Sequence, residues 1–250
     1  MPTRIPPGFA LGAVPPLDAI AAFQARQLLE LTFSWQDMWQ EEHTRAFTVS
    51  RLAEEALLAF VRDELDAAIS AGTDFKDWAQ TVQSRLESVG WWGRREVVDT
   101  ATGETVATTF DPRRLQLIFE VNTRQSYAAG RWKRIERSKD RLPFVVYRTM
   151  RDERVRVSHR AWDGVALPAD DEWWDTHYPP CGWRCRCTAF ATDERGLDKL
   201  RRAGVEIKTT APPTEWVEFT NRRTGELSRV PHGVDPGFGY NPGKVRPTGA

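Results

Sequence analysis

Residues that can bind a metal or act as nucleophiles are concentrated in one short stretch of the chain. All three cysteines, Cys181, Cys185 and Cys187, lie within seven residues. Two of the four histidines, His159 and His177, precede them in the same segment. Thiolate sulfur and imidazole nitrogen suit a tetrahedral Zn²⁺ ion, and three cysteines with one histidine form an accepted structural ligand set. This segment is therefore a candidate zinc site.

The predicted ligands of this structural zinc ion are His159, Cys181, Cys185 and Cys187. Cys185 and Cys187 alternate along an extended backbone, which points both side chains to the same side. Cys181 can fold back towards them across a Pro-Pro-Cys-Gly turn. A turn at Asp163-Gly164 reverses the chain behind His159, and His177 is the alternative fourth ligand.

Two other interpretations of the cysteines remain open. Intervals of three and one residues match no common zinc-finger spacing, and the cysteines could instead pack as soft hydrophobic side chains while His159 donates to a carbonyl. A cysteine and a histidine could also act in nucleophilic catalysis, which needs a thiolate beside one base and an oxyanion hole. Three cysteines so close together favour ligands over one activated nucleophile. No phosphate-binding or dinucleotide-binding glycine motif is present, so no small-molecule substrate is predicted.

The composition limits the class of protein further. The 250 residues carry 35 lysines and arginines against 35 aspartates and glutamates, so no overall field favours nucleic acid or an anionic membrane. No apolar run reaches the roughly 18 residues that a membrane-spanning helix needs. The proline-rich N-terminus does not resemble a secretory signal, and three cysteines cannot all pair within the chain. A reduced folding compartment is therefore expected.

The region preceding the cysteines is predicted to be mainly helical. Residues 1–16 read as a flexible arm, and residues 17–142 as a helical region with one β-hairpin at about 94–109. Apolar spacing predicts helices from Leu17 to Leu29, from Ser34, from Arg51 to Ala71, from Thr73 or Asp74 towards Gly90, and over about 112–140.

The last of these helices is strongly basic. Residues 113–141 contain nine basic and three acidic residues, whereas residues 51–87 contain four basic and eight acidic ones. A solvated basic face that pairs with an acidic one explains this bias, and so does a patch that faces DNA or an acidic partner.

The remainder of the chain is predicted to be a smaller mixed domain. Residues 143–230 hold the Cys/His cluster, and residues 231–250 form an irregular tail rich in glycine and proline. Strands are predicted at 144–148, 155–158, 185–191 and 205–207, a helix at 194–203 and a hairpin at 216–230. The fold class is α+β, with a mainly helical N-terminal region followed by a hairpin- and loop-rich C-terminal domain.

Several strings in this domain resemble one known family. They are His159-x3-Asp163-Gly164, Leu167-Pro168-x-Asp170-Asp171-x-Trp173-Trp174 and Pro179-Pro180-x-Gly182-Trp183-x-Cys185-Arg186-Cys187. Together they resemble the signature of the phage Mu F-type minor head proteins. The tail from His232 to Gly243 and several strings of the N-terminal half are also similar to the longer Mu-like members, so the resemblance covers most of the chain.

The resemblance implies a structural virion protein of a tailed phage that acts in head morphogenesis near the portal vertex. It implies the portal protein or the major capsid protein as partners, with packaged double-stranded DNA as a further contact. The protein would pass from the host cytoplasm during assembly to the virion head, without a membrane partner or an enzymatic activity. A zinc-stabilised DNA-binding module and a Cys/His-dependent hydrolase or nuclease are the alternative functions.

Overall fold

A computed structural model describes residues 15–244 of the chain. Residues 1–14 of the predicted arm and residues 245–250 of the predicted tail lie outside this range. The described residues form seven α-helices and nine short strands. The helices are α1 (Leu17–Gln24), α2 (Glu55–Ala71), α3 (Phe75–Ser88), α4 (Pro112–Ser138), α5 (Val157–Trp162), α6 (Trp173–His177) and α7 (Glu194–Arg202). The strands are β1 (Leu28–Leu29), β2 (Ala46–Phe47), β3 (Gly93–Val98), β4 (Thr105–Phe110), β5 (Phe144–Arg148), β6 (Ala166–Pro168), β7 (Thr188–Thr192), β8 (Trp216–Thr220) and β9 (Leu227–Pro231).

Helices α3 and α4 begin at their predicted caps and α2 ends at its predicted stop, but α2 begins at Glu55 and not at the predicted Arg51. Gly72 ends α2 in the left-handed conformation (φ 71°), and the Asp74 side chain accepts a hydrogen bond from the Asp77 amide at the start of α3. Asp111 caps α4 through the Arg114 amide, with proline at the first helical position. The hairpin β3–β4 pairs antiparallel, as expected.

Two N-terminal helices differ from their prediction. α1 stops at Gln24, and the chain continues into the two-residue strand β1, which pairs in parallel with β2. Ser34 does act as an N-cap, in a capping box with Asp37, but the segment that follows forms two short 3₁₀ helices. Extended backbone at Met38 separates these two turns, so no α-helix can run through them.

The N-terminal elements enclose the first of two large hydrophobic cores. It is built mainly from α1, α2 and α3, the hairpin β3–β4 and the start of α4, which contributes Leu115. Gly130 allows α1 to approach α4 closely, because a Cβ at this position would lie 2.6 Å from the backbone nitrogen of Ala19. Trp78 is among the largest fully buried side chains of this core.

The second core lies on one face of the three-stranded antiparallel sheet, whose strand order is β6-β5-β7, and a smaller cluster that includes Val146 and Leu197 covers the other face. The second core includes all three cysteines and Trp132 near the end of α4. Helix α4 contributes to both cores, so the hydrophobic packing extends across the domain boundary predicted at residue 142. That boundary stays a prediction. Hydrophobic and aromatic side chains of both halves pack around this helix, and the α+β fold class with a helical N-terminal region is confirmed.

Three local predictions in the C-terminal half are wrong. Residues 155–158 do not form a strand: Val155 is buried in a turn, and Val157 begins helix α5 with its side chain exposed. The strand predicted from Cys185 begins only at Thr188. Residues 205–207 lie in an irregular segment that ends in one isolated bridge between Val165 and Lys208.

The described part of the tail is irregular in backbone but not loose. Val234, Phe238 and Tyr240 are buried, and Phe238 packs edge to face on Trp183 with 5.0 Å between ring centroids. The hairpin β8–β9 precedes the tail and is confirmed. Within residues 15–244, none of the helices combines the length and the apolar character that crossing a bilayer requires.

Candidate metal centre beside an arginine-lined pocket

Three of the four predicted zinc ligands converge on one point. The Nδ1 atom of His159 lies 3.7 Å from the Cys185 sulfur and 3.6 Å from the Cys187 sulfur. The three donor atoms all lie within 4.8 Å of one another. His159, Cys185 and Cys187 are all buried, so bulk water competes little for their donor atoms. We refer to these three residues as the HCC cluster.

The orientation of the His159 ring is fixed on two sides. Nε2 donates a hydrogen bond to the carbonyl oxygen of Gly233 at 3.0 Å, and this leaves Nδ1 as the unprotonated nitrogen that faces the sulfurs. The ring also stacks on Trp162, one turn along α5, with 4.9 Å between centroids. Helix geometry therefore places ligand and support on one face.

The cysteine loop is held by hydrogen bonds from two arginines. Arg124 on α4 donates to the Cys185 carbonyl at 2.8 Å, and Arg156 donates to the Trp183 carbonyl at 3.0 Å. Arg156 also pairs with Asp235 of the tail at 2.9 Å. The loop therefore depends on α4, on α5 and on the tail for its position.

Hydrogen bonding within the HCC cluster shifts the pKa values of the two thiols in opposite directions. The pKa of Cys185 is lowered, chiefly because the Cys187 thiol donates a hydrogen bond to its sulfur. The pKa of Cys187 is raised for the converse reason and by burial.

Two further candidates lie outside the HCC cluster. The Cys181 thiol donates to the carbonyl oxygen of His177 at 3.2 Å and accepts from the Tyr147 hydroxyl at 3.8 Å, and burial raises its pKa. Its position is fixed by the backbone, since the Cys181 carbonyl accepts from the Asp235 amide. His177, the alternative ligand, stacks on Trp173, and its Nδ1 faces the Thr176 hydroxyl.

The HCC cluster forms one wall of a pocket of about 440 Å³. Five arginines share this pocket with a single carboxylate, that of Glu120. The arginines are Arg124, Arg154, Arg156, Arg184 and Arg186. Three of them form ion pairs. Arg124 pairs with Glu120, Arg156 pairs with Asp235, and Arg186 pairs with Asp152. Among residues 15–244, Arg154 and Arg184 have no carboxylate within ion-pair distance, and both are exposed.

Sequence reasoning missed two parts of this site. The Gly233 carbonyl is a backbone group and carries no mark in the sequence, although the string His232 to Gly243 singled out its neighbourhood. The arginine pocket is assembled from α4, the segment before α5 and the cysteine loop. A count of charged residues along the sequence detects only the contribution of the basic helix α4.

Comparison with known proteins assigns the chain to a family. The profile described as phage Mu protein F like protein matches residues 59–190, which is more than half of the chain and includes both α4 and the HCC cluster. The chain belongs to the family of phage Mu F-like proteins.

Two relatives place it more closely. It is 32% identical over 245 residues to a protein of Escherichia phage Mu named as a capsid assembly protein F, covering 93% of this chain and 55% of that protein. It is also 32% identical over 205 residues to the Mu-like prophage FluMu F protein of Haemophilus influenzae, covering 81% of this chain and 48% of the relative. The chain thus spans about half the length of these relatives. No solved structure matches it.

Proposed function

We propose that this chain is a structural component of a tailed-phage head and acts in head morphogenesis. Its membership of the Mu F-like family supports this role, as does the name of the phage Mu relative. The finer parts of the proposal are a place in the virion near the portal vertex, docking on the portal or the major capsid protein, and contact with packaged DNA.

The arginine-lined pocket supports the DNA contact more directly than any other feature. Guanidinium groups bind phosphate oxygens in bidentate fashion and remain charged at every physiological pH. Arg154 and Arg184 are exposed at this pocket, and neither has a carboxylate within ion-pair distance among the described residues. A surface with this charge imbalance attracts a phosphate backbone even when the whole chain has no net charge.

The basic face of α4 contributes less than its charge count indicates. Arg114 is used inside the fold, where it donates to the Ser50 carbonyl and lies over the Phe110 ring. Arg134 and Arg137 both pair with Asp18 of α1. Much of the basic bias is thus satisfied within the chain, and the DNA contact is proposed for the pocket instead.

A charge-reversal pair tests the DNA contact. We expect the variant Arg154→Glu/Arg184→Glu to bind duplex DNA more weakly than the wild type. The dependence of log K on log salt should also become smaller, by about one unit for each phosphate group that the variant no longer neutralises. The matched control is Arg195→Glu/Arg202→Glu, which changes the net charge equally on exposed residues of α7. Equal weakening by both pairs, or none by the first, would remove the pocket from the proposal.

The location is tested separately in assembled particles. We expect electron microscopy of heads, reconstructed without imposed symmetry, to show density for the protein at the portal vertex. Heads assembled without it should show altered shape, DNA content or infectivity. Normal heads in its absence would contradict a role in morphogenesis, whereas density elsewhere in the capsid would contradict only the vertex location.

A further inference from the structure

The arrangement of the HCC cluster is that of metal ligands. Zinc–sulfur bonds of about 2.3 Å and zinc–nitrogen bonds of about 2.0–2.1 Å in a tetrahedron separate sulfur from nitrogen by roughly 3.5–3.6 Å. The two sulfur–nitrogen distances here are 3.7 and 3.6 Å. Both sulfur–nitrogen distances therefore match those around a tetrahedral ion, and all three donor atoms lie within 4.8 Å of one another.

Hydrogen bonding alone accounts poorly for this arrangement. A neutral imidazole has one lone pair on its unprotonated nitrogen and accepts one hydrogen bond along it. Both sulfurs nevertheless lie at nearly the same distance from the same Nδ1 atom of His159. A cation placed between the three atoms would use that lone pair and both sulfurs at once.

The surroundings of His159 are also those of a ligand. A metal-bound histidine almost always donates its second ring N–H to a carboxylate, a carbonyl or water, which fixes the tautomer and the ring orientation. Here Nε2 donates to the Gly233 carbonyl at 3.0 Å, while Trp162 stacks on the ring. The nitrogen lone pair is thereby aimed at the sulfurs before any ion arrives.

We propose that His159 Nδ1, Cys185 Sγ and Cys187 Sγ bind one Zn²⁺ ion whose fourth position opens into the arginine-lined pocket. Cys181 is excluded as the fourth ligand because its sulfur does not belong to the group of donor atoms that lie within 4.8 Å of one another, and its thiol donates to the His177 carbonyl. All three ligands line the pocket, so the fourth ligand is an oxygen donor that enters from it. This site does not depend on the proposed role in head assembly.

Cysteine substitutions provide a matched test of the ligand set. The full chain is purified without chelator, and its zinc content is measured by mass spectrometry. We expect about one zinc per chain in the wild type and in Cys181→Ser, and less than a tenth of that in Cys185→Ser and Cys187→Ser. A metal-free wild type, or equal loss from Cys181→Ser, would overturn the proposal.

Cobalt replacement keeps the test decisive if a substituted chain fails to fold. Wild-type protein is stripped with chelator and reloaded with Co²⁺, and its visible and near-ultraviolet spectra are recorded. We expect tetrahedral d–d bands and a thiolate charge-transfer band with the intensity of two sulfurs. Inorganic phosphate should shift the d–d bands if a phosphate oxygen replaces water at the fourth position, and an unchanged spectrum identifies water there. A three-sulfur intensity or an octahedral spectrum would overturn the proposed site.

Discussion

The Nε2 atom of His159 lies 3.0 Å from the carbonyl oxygen of Gly233, a residue 74 positions further along the chain. This hydrogen bond joins helix α5 to the C-terminal tail. The tail is held there by a second contact, since Asp235 pairs with Arg156. A segment that looks irregular in sequence therefore determines which nitrogen of the histidine faces the two sulfurs.

Replacement of Gly233 by alanine should disturb both stability and the cluster. Gly233 has φ 90°, and an added Cβ would lie 2.6 Å from the Ser158 Cβ and 3.0 Å from the Trp162 ring. Backbone strain and overlap together should cost about 2 kcal/mol or more of unfolding free energy. The control is Gly225→Ala, where φ is 75° but the space is open, so only the strain remains. Denaturant titration distinguishes them, and equal losses would contradict the packing argument.

Removal of Arg223 should make stability less sensitive to acid. Arg223 in the β8–β9 turn pairs with the buried Asp99 and with Asp37, and it is the main reason that the pKa of Asp99 is lowered. A carboxylate with a lowered folded pKa stabilises the fold above its unfolded pKa, and this contribution is lost as pH falls through the folded value. Arg223→Ala should therefore melt lower than wild type at pH 7, and the gap should narrow below about pH 4.

The neighbouring Arg222 is the matched control for that prediction. It is exposed, and Arg222→Ala removes the same charge without touching Asp99. Its melting temperature should follow the wild-type curve at every pH. A gap between wild type and Arg223→Ala that stays constant from pH 7 to pH 3 would show that Asp99 gains nothing from the ion pair.

Buried His177 should make the fold less stable in mild acid. Burial lowers the pKa of His177 to about 4, below the 6.5 of an unfolded chain. The unfolded state therefore binds the proton more readily, and stability is lost as pH falls from about 6.5 towards 4, by up to about 3 kcal/mol. His177→Gln should flatten this part of the profile of melting temperature against pH.

His43 provides an independent second measurement of the same effect. Its pKa is also lowered to about 4, chiefly by burial. His43→Gln should remove a separate share of the acid sensitivity, and the two substitutions should add because the residues belong to different regions of the fold. An unchanged pH slope in both variants would contradict the lowered pKa values of these two imidazoles.

The cysteines should not act as nucleophiles that cut DNA. A thiol nucleophile needs a base dedicated to it, whereas Nδ1 of His159 is shared between the sulfurs of Cys185 and Cys187. Supercoiled plasmid incubated with the zinc-loaded wild type, with and without Mg²⁺, should stay uncut on a gel. Nicking that persists in Cys181→Ser and disappears in Cys185→Ser would establish a nuclease.

Local rules predicted the three longer helices, α2, α3 and α4, well. Glycine in the left-handed region at Gly72 and the side-chain caps at Asp74 and Asp111 act within one turn of chain, so a short window contains the relevant physics. The segment at 155–158 failed because two valines at alternate positions fit a strand, while Val157 is in fact exposed at the start of α5. Short segments are decided by their neighbours, not by their own periodicity.

The sequence predicted three ligands of the candidate site, but it predicted neither the position of Cys181 nor the arginine pocket beside the ligands. His159, Cys185 and Cys187 could be chosen by residue type and spacing, and the structure brings them together. That Cys181 is held away by the carbonyl of His177 depends on tertiary packing, which the short interval between these two residues does not reveal. The five pocket arginines come from three separate segments, so only the folded chain shows that they meet.

Helix α4 carries Leu115 into the first core and Trp132 into the second, where Lys244 of the tail lies over the Trp132 ring. Helix α4 is thus shared by both hydrophobic cores. A chain divided after residue 142 would remove Trp132 and the rest of α4 from the second core. Both halves should melt in a single transition. A chain built in this way should resist mechanical force as one rigid unit and not as two independent domains.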